Sequence, residues 1–106
     1  MALRLHASRA PDMTRATWNG QTIAESTETV LVEGNHYFPP EAVNFDLLRR
    51  SETKSSCGWK GDARYYTIVV DETVNEDAAW YYPVPKTEAE NIKGHVAFWK
   101  GVSIEE

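Results

Sequence analysis

The sequence predicts a mainly β protein, a small antiparallel sandwich or half-open barrel with two short helices. Short segments rich in Val, Thr, Tyr and Trp recur along the chain, and Gly, Pro and Asn separate them. Asn19-Gly20 lies between two such segments, and Asn-Gly is a strong signal for a tight hairpin turn. No glycine-rich loop follows a strand and opens a helix, so the pattern does not fit a nucleotide-binding α/β unit.

The elements of the N-terminal half follow in order. Asn19-Gly20 joins the first two strands, and ETVLVE continues as a third strand. Gly34-Asn35 is the expected next turn. Residues 41–50 are predicted as a short helix, because Pro40 fits a first helical turn and apolar residues recur at three- and four-residue spacing.

The C-terminal half begins with ARYYTIVVD, a strand that is apolar on both faces and is therefore expected to be central. AAWYYPVP is a strand whose end lies at a sheet edge, because Pro83 and Pro85 cannot donate to a ladder. TEAENIKG is predicted as the second helix, with Thr87 and Glu90 as a capping box and Gly94 as its terminator. HVAFWKG and VSIEE close the chain as strands.

The length and charge of the chain limit its partners. A chain of 106 residues builds one modest core, and we expect a flexible tail over residues 1–13 and a single β domain over residues 14–106. Eleven basic and sixteen acidic residues give a net charge of −5. This charge disfavours binding to nucleic acid and to anionic membranes, which need a basic surface. It leaves room for one small anionic ligand held by a local Lys or Arg.

Cysteine and histidine usage gives expectations about metals and location. The single cysteine cannot form an internal disulfide, and the three histidines are dispersed. Because no metal-ligand spacing is present, we expect no metal site and no cofactor. The opening residues lack the apolar run of a signal peptide, and no apolar stretch approaches the roughly 18 residues of a membrane span. We therefore expect a cytoplasmic location.

The segment SCGWKG, with the only cysteine beside a tryptophan and a lysine, is the main functional candidate. Glycines let a backbone approach a ligand closely, and a lysine supplies a point charge for a phosphate or carboxylate. Aromatic residues are numerous, and strand alternation places rings on both faces, where they build core or line a pocket. The principal hypothesis is a pocket for a small flat or anionic molecule. Its predicted lining residues are Trp59, Lys60, Tyr37, Asn35, Trp80 and Tyr82.

Two alternatives remain open. The first is a hydrolase or transferase in which Cys57 is the nucleophile and Lys60 or His36 assists it, since a nearby cation stabilises a thiolate. Against it, a lone cysteine is commonly a small buried hydrophobe. The second is a protein-interaction module whose exposed rings bind a partner protein or a second copy of the chain, which would give a homodimer.

The assembled segments resemble a known family. WNGQTIAES, EGNHYFPPEAV, CGWKGDARYY, DAAWYYPVP and GHVAFWKGVSIEE, in this order, are similar to small bacterial and fungal proteins called domain of unknown function 427. The resemblance runs from about Thr14 to the C-terminus, and its most specific part is Cys-x-Trp-Lys-Gly followed by paired tyrosines. The family commonly has proline where this chain has Gly58.

The resemblance implies a compact β domain similar to the β-tent fold of methionine sulfoxide reductase B and of the drug-binding domain of cereblon. Those relatives often hold zinc with four cysteines, and this chain has one. The cereblon-type domain uses a tryptophan cage, for which Trp59, Trp80 and Trp99 are the candidates here. A nucleotidyltransferase label is sometimes attached to the family, but this sequence has no glycine-serine motif with paired acidic residues to support it.

Overall fold

The computed structural model describes residues 13–106 of the chain, so the predicted N-terminal tail lies outside the described residues except for Met13. The described part is mainly β, as the sequence predicts, and its nine strands form three antiparallel sheets. The strands are β1 Thr14–Trp18, β2 Gln21–Ser26, β3 Val30–Val32, β4 Asn35–Tyr37, β5 Leu48–Cys57, β6 Gly61–Val70, β7 Thr73–Tyr81, β8 Val96–Phe98 and β9 Ser103–Glu105. The strand orders are β2-β1-β9, β3-β4 and β5-β6-β7-β8.

Two hydrophobic cores lie on opposite faces of the four-stranded sheet, so the expectation of a single core was wrong. One joins Ile68 of β6 to residues of the β1–β2 hairpin such as Ile23. The other joins Ala63 of β6 to Tyr37 of β4 and to Ile92, which lies between β7 and β8. Because side chains alternate along a strand, successive residues of β6 serve different cores. The sheets therefore stack as a sandwich, and over residues 13–106 they do not close into a barrel.

The first two turns confirm one prediction and correct another. Asn19 and Gly20 both have positive φ, 53° and 75°, which confirms the predicted two-residue hairpin. The turn between β3 and β4 is formed by Glu33 and Gly34, with φ of 54° and 82°, so the prediction of Gly34-Asn35 was wrong by one residue. Asn35 is instead the first residue of β4 and pairs with Val32.

The predicted helix over residues 41–50 was wrong. Two separate 3-10 turns, Pro40–Ala42 and Phe45–Leu47, occupy its first part, and β5 begins at Leu48. Asn44 separates the turns in an extended conformation and accepts a hydrogen bond from the Asp46 amide with its side chain. Apolar spacing of three or four residues suits a 3-10 turn and a short α-helix equally, so the spacing alone did not distinguish them.

The second predicted helix is also a 3-10 segment, Thr87–Ile92, with a kink at Ala89. Its N-cap is Lys86, without a side-chain cap, so the predicted Thr87–Glu90 capping box was wrong. Gly94 follows with a φ of 70°, which confirms it as a terminator. Among residues 13–106 there is thus no α-helix, and no helix is long and apolar enough to cross a membrane. The β-tent likeness stays a prediction.

Candidate functional site

The turn between β5 and β6 directs the Lys60 side chain into the protein. A second segment crosses this turn and is hydrogen-bonded to it: the Lys86 amide donates to the Lys60 carbonyl at 2.9 Å, and Lys86 Nζ donates to the Gly58 carbonyl at 2.7 Å. Gly61 permits the crossing, because its φ is 116° and a Cβ there would lie 3.3 Å from the Val84 carbonyl oxygen. Lys60 is consequently only 7% exposed.

The buried ammonium group of Lys60 is held by one carboxylate and two rings. Lys60 Nζ donates to Glu33 Oε1 at 2.5 Å, and Trp59 Nε1 donates to the other oxygen of the same carboxylate at 3.3 Å. Nζ also lies 5.4 Å from the ring centroid of Trp59 and 5.7 Å from that of Tyr82, distances at which a cation is attracted to a ring.

The surroundings keep both partners of this ion pair charged. Burial alone would lower the pKa of Lys60, but the hydrogen bond with Glu33 and neighbouring charges outweigh it, and the pKa is raised from its ordinary value. The pKa of Glu33 is lowered, first by the hydrogen bond from Lys60 and then by the one from Trp59. Lys60 is therefore a fixed cation at neutral pH, and it is not available as a base.

Four aromatic rings and Lys60 line a small recess of about 160 Å³. The Trp80 ring meets Trp99 edge-on at 5.5 Å, and its Nε1 donates to the Tyr37 hydroxyl at 3.2 Å. Because Tyr37 is fully buried, this hydrogen bond fixes the orientation of Trp80. Trp99, which is 45% exposed, stands at the mouth. The rings that line the recess are Tyr65, Trp80, Tyr82 and Trp99.

The structure brings some of the predicted pocket residues together and leaves others outside. Lys60, Trp80 and Tyr82 line the recess. Tyr37 lies behind Trp80 and supports it, while Trp59 contacts the Lys60 ammonium group without lining the recess. Asn35, taken into β4 by the shifted turn, is not among the lining residues.

The sequence did not predict that Tyr65 lines the pocket or that Glu33 forms an ion pair with Lys60. Strand pairing was the missing signal for Tyr65, which lies directly opposite Trp80 in the β6–β7 ladder and so shares its face. Glu33 is 27 residues from Lys60, and no local pattern relates the two positions.

The geometry gives no support to a nucleophilic role for Cys57. Its side chain is half-buried and packs against the second hydrophobic core. Both ring nitrogens of His36 have other partners, Thr29 Oγ1 at 2.8 Å and Glu106 Oε2 at 2.5 Å. Lys60 stays protonated because of its ion pair with Glu33. Within residues 13–106, no group of three acidic, histidine or cysteine residues is arranged to hold a metal ion.

Comparison with known proteins identifies a family but no activity. A family model described as domain of unknown function (DUF427) matches residues 6–106, which include every residue of the recess. This confirms the resemblance seen in the sequence. No curated protein is significantly similar to the chain.

Proposed function

The chain belongs to the DUF427 family, and we propose that it is a small-molecule-binding domain whose ligand enters the recess of Lys60 and the four rings. The observation that carries the proposal is a buried, charged lysine at the wall of an open aromatic recess. Burying a charge costs free energy, and the partner that offsets this cost, Glu33, is itself about half exposed. An apolar side chain would fill the same position without that cost. A ligand that hydrogen-bonds the ammonium group would account for its presence.

The dimensions of the recess favour a ligand with a single ring. A volume of about 160 Å³ is close to that of a cavity that accepts benzene, about 150 Å³, and is smaller than a typical drug-sized pocket. The four rings offer faces and edges on which a planar group packs.

The charge at the wall favours a ligand oxygen that accepts a hydrogen bond. An ammonium group has three protons, and Glu33 accepts one of them. The remaining donors suit a ring carbonyl or a carboxylate. Glu33 is about half exposed, so it can turn outward when an anionic ligand takes its place beside Lys60.

A thermal-shift screen with a matched pair of lysine variants tests the proposal. The panel contains monocyclic carboxylates, pyrimidine bases and aliphatic carboxylates of equal charge. Lys60→Met removes the buried cation, whereas Lys93→Met removes an exposed lysine that does not line the recess. A ligand at one hundred times its Kd stabilises the fold by about 2.7 kcal/mol, which raises the Tm by several degrees.

We expect a monocyclic hit that Lys93→Met retains and Lys60→Met loses. If Lys60→Met does not fold, Trp99→Leu at the exposed mouth serves as the second variant, and its loss of the hit carries the same meaning. A panel without any hit, or a hit of equal size in wild type and both recess variants, contradicts the proposal.

The protein-interaction module is the second candidate, and the exposure of two tryptophans supports it. Trp59 and Trp99 are 39% and 45% exposed, and such rings are common at the centres of protein interfaces. Sedimentation velocity over a range of concentrations tests for a homodimer. Association that is lost in Trp99→Ser, together with a silent ligand panel, would favour the module over the ligand-binding domain.

A further inference from the structure

A second and larger cleft lies on the other face of the four-stranded sheet. It has a volume of about 460 Å³ and forms beside an irregularity in β5, where residues 51–53 fall between the pairs Arg50↔Tyr66 and Lys54↔Arg64. The extra residues bend the strand and open a space above β6. The residues that line the cleft are Arg50, Ser51, Glu52, Lys54, Arg64 and Tyr81.

The strand register concentrates three cations in this cleft. Arg64 lies directly opposite Lys54 in β5, and residues directly opposite one another share a face and lie close together. Arg50 pairs with Tyr66, which is two residues from Arg64 and therefore on the same face. Like charges placed directly opposite in a ladder destabilise a sheet. The Lys54–Arg64 pair is thus unfavourable unless something neutralises it.

Few acidic side chains neutralise these three cations. The ion pairs within residues 13–106 are Arg15–Glu25, His36–Glu106 and Lys60–Glu33, none of which includes a cation of the cleft. Glu52 is the one carboxylate among the lining residues, and Asp62 lies on the same face in an adjoining depression beside Lys54 and Arg64, so three cations stand against two carboxylates. The cleft is therefore a positive region in a chain whose net charge is −5.

The far wall of the cleft is rigid. Tyr81 stacks on Tyr66 with ring centroids 4.7 Å apart and planes 19° apart, and Phe45 packs edge-on against Tyr66 at 5.7 Å. A wall fixed in this way lowers the entropy cost of binding, because fewer side chains must be ordered when a ligand arrives.

From this arrangement we propose that the cleft between β5 and β7 binds the phosphate group of a small, soluble phosphate ester. The excess of cations over carboxylates attracts a phosphate group, and guanidinium groups recognise phosphate with paired hydrogen bonds. The volume lies within the range of small-molecule pockets. The overall negative charge disfavours a nucleic acid or an anionic membrane, which would meet far more of the surface than these three cations. The proposal does not rest on the aromatic recess, which lies on the opposite face.

Isothermal titration calorimetry on the full chain tests the proposal with inorganic pyrophosphate and glucose 6-phosphate as probes and glucose as the uncharged counterpart. Arg64→Gln removes one cation of the cleft. Arg49→Gln is the matched control, because Arg49 is exposed in the same strand but pairs with Thr67 and points to the other face. We expect Arg64→Gln to weaken binding about tenfold or more, since it removes paired hydrogen bonds to a charged group. Arg49→Gln should leave it nearly unchanged.

Other outcomes decide against the proposal. Absence of heat with both phosphate probes, equal weakening in the Arg49 and Arg64 variants, or equal binding of glucose would overturn it. Tighter binding of a DNA oligonucleotide or of phosphatidylserine vesicles through Arg64 would replace the small ester with a macromolecule. Should Arg64→Gln fail to fold, Arg50→Gln on the edge strand gives the same comparison. If a phosphate probe still binds to Lys60→Met, then the cleft binds it independently of the recess.

Discussion

The two glycines that flank Trp59-Lys60 should respond oppositely to the same substitution. Gly61 has a φ of 116°, and a Cβ there would lie 3.3 Å from the Val84 carbonyl and 3.4 Å from the Lys86 amide nitrogen. Gly58 lies outside the positive-φ region, and no atom lies within 4 Å of the position that a Cβ would take there. Alanine at Gly61 therefore meets both backbone strain and another backbone segment, whereas alanine at Gly58 meets neither.

The expected magnitudes follow from these two environments. A residue forced into a glycine-only conformation costs about 1–3 kcal/mol, so Gly61→Ala should lower the free energy of unfolding by about 2 kcal/mol. That corresponds to a fall in Tm on the order of 10 °C for a domain of this size. Gly58→Ala should leave the stability unchanged or raise it by up to about 1 kcal/mol, because it restricts the unfolded chain.

Urea denaturation followed by tryptophan fluorescence measures both variants against wild type. Each variant adds one methyl group to the same turn, so each serves as the control for the other. If Gly61→Ala proves as stable as Gly58→Ala, then the crossing segment does not constrain the turn. In that case the crossing segment would not be what directs Lys60 inward.

Three further predictions concern single side chains. The pKa of Glu33 is lowered by Lys60 and Trp59, so its ion pair stabilises the fold above the ordinary glutamate pKa of 4.5. Urea denaturation should therefore show a stability gap between wild type and Glu33→Gln at pH 7 that shrinks as the pH falls below 4.5, and a constant gap would refute this. Burial, followed by Tyr81, raises the pKa of Tyr66 to about 12, and burial also raises the pKa of Tyr82. An ultraviolet titration should therefore show late phenol ionisation that Tyr66→Phe reduces, and stability should fall as the pH rises from 10 toward 12. Cys57 should react with a thiol reagent more slowly than a free cysteine peptide, because it packs against the second core, and faster labelling would revive the nucleophile hypothesis.

The parts of the fold that the sequence predicted are those encoded by neighbouring residues. Asn19-Gly20 specifies its own turn, and the apolar residues of β6 specify a central strand wherever the partners lie. Strand β5 was missed for the opposite reason. Of its residues only Leu48 is buried, and it is an edge strand whose conformation depends on pairing with β6. An exposed polar strand carries little periodicity, so its local sequence resembles a loop.

The candidate recess shows the same division between local and distant information. Its lysine and two of its rings follow from composition and alternation, since Lys60 sits in a glycine-flanked turn and Trp80 lies in a strand. The position of Glu33, the carboxylate that binds Lys60, does not follow from composition or alternation. Glu33 lies in the turn between β3 and β4, 27 residues from Lys60, so their contact depends on tertiary structure that no local pattern encodes.

The pairing of β6 with β7 explains how one short stretch of chain supplies two sites of different chemistry. Tyr65 lies opposite Trp80 and faces the recess, while the adjacent Arg64 lies opposite Tyr81 and faces the cationic cleft. A slip of β6 by one residue would turn Arg64 toward the recess and Tyr65 toward the cleft, so both sites would change together. The two proposed sites are independent in their ligands but share one structural requirement. Any substitution that shifts this ladder should abolish both, whereas a substitution confined to one face, such as Lys60→Met or Arg64→Gln, should abolish one.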